Sequence, residues 1–218
     1  MKSLNIIFLG RSGSGKGTQL ALLKKKFSLI EIDTGSLLRR FIKQKGYLSQ
    51  KTAEVIAKGD LVPFWLVVNI WLKKILNISL DKGIIFEGSP RSLEEAKILD
   101  EALNWLGRNN IRVIYLNVKE KEVIRRLSLR RICSQCGREY SLEFRSGLKK
   151  CLFCEKTLIR RADDYPKAIK NRMFYFQKNI IPVINYFRNK KILVEINGLG
   201  TVEEVYQQIT KTLKTKAV

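Results

Sequence analysis

Short runs of apolar residues along this chain alternate with longer stretches in which apolar positions recur every three or four residues. The run Leu4, Asn5, Ile6, Ile7, Phe8, Leu9 is nearly all apolar. A strand with one wet face alternates polar and apolar residues, so this run predicts a strand buried on both faces, as in a parallel sheet. Gly83 to Phe86, Val113 to Val118 and Ile192 to Ile196 predict further core strands on the same grounds. Thr18 to Phe27, Ser92 to Leu106 and Lys167 to Phe187 carry helical spacing. Pro182 interrupts the last of these and predicts a kink there. Strands alternating with helices predict an α/β fold, a parallel sheet flanked by helices.

Two stretches depart from the alternation. Residues 34–78 are helical in pattern almost throughout, with turn signals at Gly46 and at Gly59-Asp60. Residues 132–158 hold all the cysteines, separated by short polar pieces. Both predict insertions into the core. The expected division is a core of residues 1–32, 79–125 and 160–218, a helical insertion at 33–78, and a small segment at 126–159.

Composition narrows the function classes. A chain of 218 residues can build one core with small inserted domains. It has no histidine, which excludes histidine acid–base and histidine metal chemistry. The net charge of +22 suits a nucleic-acid binder, or an enzyme that handles two phosphorylated nucleotides at once; a lysine-rich surface takes the largest share of the account. No apolar run is long enough to span a bilayer. The first apolar run is too short for a signal peptide and passes directly into a glycine-rich loop. A cytoplasmic protein that does not engage membranes is expected.

That loop, Gly10 to Thr18, has the spacing G-x-x-x-x-G-K. Glycines let backbone N–H groups turn inward to cradle phosphate oxygens, Lys16 adds a mobile positive charge, and the next helix presents its positive end. Gly17 stands where the general motif has Ser or Thr, with the hydroxyl one residue later at Thr18. A preceding buried strand and a following helix are the context the motif requires.

Cys133-x-x-Cys136 and Cys151-x-x-Cys154 form two knuckles. Four thiolates so spaced predict a closed tetrahedral site for a structural Zn2+, with no open position for catalysis.

The sequence Gly-x-x-Gly-x-Gly-Lys-Gly-Thr-Gln from Gly10 onward resembles the adenylate kinase form of the phosphate loop. Asp33-Thr34-Gly35-Ser36-Leu37-Leu38-Arg39 is similar to that family's S-T-G-D-hydrophobic-L-R, and Gly59-Asp60-Leu61-Val62 to its G-x-L-V. Phe86-Glu87-Gly88-Ser89-Pro90-Arg91 is similar to D-G-F-P-R, and Arg161-Ala162-Asp163-Asp164 to R-x-D-D. These blocks follow the family order over almost the whole chain.

The resemblance implies the P-loop NTPase fold, with a nucleoside-monophosphate-binding insertion at 33–78 and a zinc-stapled lid at 126–159. It implies reversible, Mg2+-dependent transfer from ATP to AMP giving two ADP, in purine nucleotide homeostasis, by a monomer. Gly13, Ser14, Gly15, Lys16, Gly17, Thr18, Arg126, Glu139, Tyr140 and Gly200 would bind ATP. AMP would meet Thr34, Arg39, Asp60, Leu61, Val62, Gly88, Ser89, Pro90, Arg91 and Glu95, with Arg161 and Arg172. Lys16, Arg126, Arg130, Arg161 and Arg172 would surround the transferring phosphoryl group, and Glu87 would hold Mg2+ through water. The four-residue spacing of Arg126 and Arg130 predicts one face of a helix.

Several positions depart from the family pattern. Glu87 replaces an aspartate, Ser12 a proline and Ser89 a phenylalanine. Glu95 replaces a glutamine that can both accept from and donate to adenine, whereas a carboxylate only accepts. A kinase of the same fold with another acceptor, such as GMP, is therefore an open alternative. A zinc-containing P-loop protein that binds nucleic acid is another, though the basic residues are dispersed and nucleic-acid binding is not expected.

Overall fold

The computed structural model describes residues 3–57, 62–161 and 164–214. The turn signal at Gly59-Asp60, the site positions Asp60 and Leu61, and Ala162-Asp163 lie outside the described residues. Strand β1 (Asn5–Gly10) leads into α1 (Lys16–Phe27) and β2 (Ile30–Asp33). Helices α2 (Thr34–Phe41), α3 (Tyr47–Ala57) and α4 (Phe64–Leu76) precede β3 (Ile84–Glu87), α5 (Leu93–Trp105), β4 (Ile111–Asn117) and α6 (Glu120–Leu129). Three short strands follow, β5 (Arg130–Cys133), β6 (Glu139–Ser141) and β7 (Leu158–Ile159). The chain then forms α7 (Pro166–Tyr175), a π-helical turn (Phe176–Ile180), α8 (Ile181–Asn189), β8 (Leu193–Asn197) and α9 (Val202–Lys214).

Strands β2-β3-β1-β4-β8 make one parallel sheet in that order. Successive side chains of a strand point to opposite faces, so an apolar run feeds two cores at once. Ile7 and Leu9 of β1 join Ile84, Phe86, Val113 and Tyr115 on one face, covered by α4, α5 and α8. Ile6 and Phe8 join Ile85, Ile114 and Ile196 on the other, covered by α1 and α9. Strands β6-β5-β7 form a separate antiparallel sheet around the cysteines.

One local reading is refined and another corrected. The long helical pattern from Lys167 is one continuous helical path, but it widens into the π turn at Phe176–Ile180 just before Pro182. Proline has no N–H for the carbonyl four residues back, so the ladder shifts register there instead of closing normally. Arg126 and Arg130 do not share a helix face. Helix α6 ends at Leu129, and Arg130 is extended, at φ −72° and ψ 138°, as the first residue of β5. Pairing of Arg130 with Ser141 across the small sheet draws the chain out of the helix. Among the described residues, no helix is long and apolar enough to cross a membrane.

Candidate active site

In an open parallel sheet, ligands gather at the carboxyl ends of the strands, where the loops turn into helices. The loops that would meet the two nucleotides leave such ends, while Glu95 and Arg172 stand on helices α5 and α7. The glycine loop follows β1, Thr34 follows β2, Gly88 follows β3 and Gly198 follows β8.

The loop after β1 is shaped by its glycines. Gly13 has φ 84°, and a Cβ there would lie 2.8 Å from Leu127 Cγ. Gly15 takes φ 100° and starts α1, so the amides of Lys16, Gly17 and Thr18 fall in the unpaired first turn of a helix. Lys16 Nζ donates to the carbonyls of Gly10 and Arg11, both at 2.8 Å. Burial pushes the Lys16 ammonium down to about 8; Glu87 opposes this, while Arg91, Arg130 and Arg172 push the same way.

Arg126 joins three parts of the core. Its Nε donates to Glu122 at 2.8 Å, Nη1 to the Ser14 carbonyl at 3.3 Å and Nη2 to the Gly198 carbonyl at 3.2 Å. Gly200 lies two residues further along that turn, ahead of α9. Arg130 forks onto Asp164 through Nε and Nη2, each at 2.7 Å. Arg172 Nη1 reaches the same carboxylate at 3.2 Å. Asp164 is 0% exposed, so this is a buried, charge-assisted junction of two arginines. Glu139 on β6 accepts from Arg161 at 2.9 Å and from Arg130 at 3.4 Å.

On the other side of Lys16, Thr34 is buried and donates from Oγ1 to Ser89 Oγ at 2.8 Å. A Cβ on Gly88 would stand 3.4 Å from Arg91 Nη2 and 3.9 Å from Thr34 Cβ, so these three residues are neighbours. Arg91 Nε donates to the Gly88 carbonyl at 2.6 Å. Arg39 donates to Ser36 Oγ at 2.7 Å and to Asp33 at 3.4 Å. Pro90 is buried beside Ser89, and Val62 packs against the sheet core. The Glu95 carboxylate is held by the Trp71 indole N–H at 3.1 Å and the Arg91 backbone N–H at 2.7 Å.

Burial raises the Glu87 carboxyl, Lys16 opposes that, and Asp33, Glu31 and Glu139 reinforce it. Asp33 and Glu87 are register partners on β2 and β3. Two oxygen-donor side chains side by side fit a hard divalent cation or its water shell. In the small sheet, the Sγ atoms of Cys133, Cys136, Cys151 and Cys154 all lie within 4.8 Å of one another. Tetrahedral zinc–thiolate bonds of about 2.3 Å require sulfur separations of about 3.8 Å. Backbone N–H groups of Gln135 and Cys136 donate to Cys133 Sγ, and that of Phe153 to Cys151 Sγ, as thiolate charge requires. The four cysteines fit Zn2+, and none is in a disulfide.

Comparison with known proteins decides the family. The family model described as Adenylate kinase matches residues 8–192. The chain belongs to the adenylate kinase family. A curated relative named Adenylate kinase, from Dehalococcoides mccartyi, is 38% identical over 96% of this chain and 98% of its own length. Relatives with the same name from Archaeoglobus fulgidus and Thermosipho africanus are each 35% identical over 97% of this chain, and over 98% and 100% of their own lengths. The chain is thus an adenylate kinase-family phosphotransferase with a four-cysteine cluster.

Within that family frame, the tertiary structure adds residues that motif reading left out. Asp164 lay inside a recognised block, but nothing in the block says which arginines it holds. Asp33 also lay inside one, and only the β2–β3 register sets it beside Glu87. Tyr140 also belongs to the cysteine cluster: its hydroxyl accepts from the Leu152 N–H and shares a hydrogen bond with Cys151 Sγ, both at 3.2 Å.

Proposed function

We propose that this protein moves a phosphoryl group reversibly between ATP and AMP, with Lys16, Arg130, Arg161 and Arg172 around the transferring group and Arg39 and Arg91 on the acceptor phosphate. The observation that carries this reading is the glycine loop with its half-buried Lys16 together with the Arg130 and Arg172 guanidiniums held on the buried Asp164. Phosphoryl transfer demands alignment and positive charge more than proton chemistry. The loop amides and Lys16 would hold the donor phosphates. Arg126, spanning the loop and Gly198, would flank the donor nucleotide. Asp164 keeps the Arg130 and Arg172 forks aimed before substrate arrives, so little reorganisation is left for the reaction. Glu87 and Asp33 would hold the water shell of Mg2+, which neutralises phosphate charge when bound. Cys133, Cys136, Cys151 and Cys154 would hold the structural Zn2+.

The domain division at 33–78 and 126–159 is part of this proposal, because α2–α4 and the β5–β7 sheet carry the acceptor and lid residues. The reducing cytoplasm is the matching compartment, since four free thiols are stable there, and a monomer is the state the family resemblance implies. The test is a coupled assay of ADP formation with AMP, GMP, CMP and UMP. AMP should give the highest kcat/KM; a preference for GMP would overturn the acceptor assignment.

Lys16 adds a pH dependence. Its pKa is about 8 in the fold against 10.5 unperturbed, so between those values the unfolded chain binds the extra proton. Stability therefore rises with pH across that window, and the penalty of burying the ammonium is complete below it. Bound phosphates restore the charge, so ATP binding at pH 9 should take up a proton and weaken as pH climbs above 8. Calorimetry in two buffers of different ionisation heat measures the uptake, and Lys16→Met should abolish it.

A further inference from the structure

Glu95 is the site residue whose surroundings differ most from what the family pattern implies. It sits in the first turn of α5, where its N–H donates to the N-cap hydroxyl of Ser92 at 3.2 Å. Its side chain folds back across the turn. Oε2 accepts from the Arg91 N–H at 2.7 Å, and Oε1 accepts from Trp71 Nε1–H at 3.1 Å. Glu95 is 2% exposed and Trp71 0%. The Arg91 carbonyl in turn accepts from the Tyr175 hydroxyl at 2.8 Å. The Arg91 peptide is thus gripped at its N–H and at its C=O, and its guanidinium is one of those that act on Lys16.

We infer that Glu95 and Trp71 are positioning residues for the acceptor arginine: the carboxylate bridges the Trp71 indole N–H and the Arg91 backbone N–H and does not read the acceptor base. The inference rests on the reading that Arg91 binds the acceptor phosphate. Two N–H donors converge on the residue-95 side chain from different elements. A carboxylate meets both, because each of its oxygens accepts. A glutamine amide has one oxygen and one NH2, so either orientation sets a donor against a donor and leaves a buried N–H unpaired. The donors around this position therefore require glutamate here. Trp71 lies on α4 and Glu95 on α5, so the same bridge ties the helical insertion to the core loop that carries Arg91. At 2% exposure the remaining lone pairs of this carboxylate are shielded, which leaves a base little access to it.

The test uses the full-length protein with Glu95→Gln, Trp71→Phe and the double variant. Steady-state kinetics with AMP and with GMP, and the thermal midpoint of each protein, are the readouts. Glu95→Gln should raise KM for AMP on the order of tenfold, with KM for ATP within about twofold. The AMP-to-GMP ratio of kcat/KM should stay within about twofold, because a displaced Arg91 affects the phosphate of either nucleotide alike. In the Trp71→Phe background one donor is gone, and the glutamine oxygen is free to face Arg91. Adding Glu95→Gln there should change KM for AMP by less than about twofold, a rescue that general loss of stability would not produce. A lower KM for AMP in Glu95→Gln, or a large swing in the AMP-to-GMP ratio, would overturn the inference in favour of base reading. An equal effect of Glu95→Gln in both backgrounds would overturn the role of Trp71. Failure of the underlying kinase reading shows separately, as absence of AMP-dependent ADP formation by the unsubstituted protein.

Discussion

Arg130→Ala is expected to lower kcat by about 10²- to 10³-fold while the dissociation constant for ATP changes by less than about fivefold. The fork of Arg130 is aimed by two 2.7 Å bonds to a carboxylate that is fully buried. A donor fixed in this way gains most from charge that develops during transfer, because it does not reorganise at that moment. On the proposed reading the loop amides and Lys16 would hold the ground-state phosphates without it, which is why binding should be largely spared. Asp164→Asn should reproduce most of the kcat loss, although Asp164 need not touch substrate: it aims both Arg130 and Arg172. Asp164→Ala should in addition cost about 3–5 kcal/mol of stability by leaving partly buried guanidiniums without their partner. Kinetics, ATP calorimetry and thermal melts separate these effects. An unchanged kcat in Arg130→Ala would remove Arg130 from the transfer step.

Zinc removal is the second large effect. The buried residues of the small sheet are only Cys133, Cys151 and Leu158, with Tyr140, Leu148 and Cys154 packed against them. A core of this size cannot offset the entropy of ordering the segment, so a metal held by the four cysteines would supply most of its folding energy. Cys133→Ser, or stripping with a strong chelator, should unfold the segment and lower the apparent Tm by about 10 °C. KM for ATP should rise, because Arg130, Glu139 and Arg161 all stand on or beside these strands. Elemental analysis should find zinc in the unsubstituted protein and little in the variant. Full zinc loss with an unchanged melt would show that the segment folds without it.

What could be read along the chain were features closed within a few residues. The glycine loop, the two C-x-x-C knuckles and the core strands of β1, β3, β4 and β8 are of this kind, because local periodicity and turn chemistry specify them. Strand β2 escaped that reading. Ile30-Glu31-Ile32-Asp33 is short and half acidic, and pairing with β3 at the sheet edge makes it a strand. The helical spacing of Arg126 and Arg130 misled for a related reason, since strand pairing and Asp164 draw Arg130 out of α6.

The contacts that set the site join residues far apart in sequence: Trp71 with Glu95, Arg130 with Asp164, and Asp33 with Glu87. The amino-acid sequence by itself determined the phosphate loop, the metal-ligand set and the α/β alternation. The tertiary structure alone decided which donors surround each carboxylate. That environment makes Glu95 a bridge between Trp71 and Arg91 and Asp164 a buried anchor for Arg130 and Arg172, because a carboxylate's role depends on the donors that the packed elements bring to it.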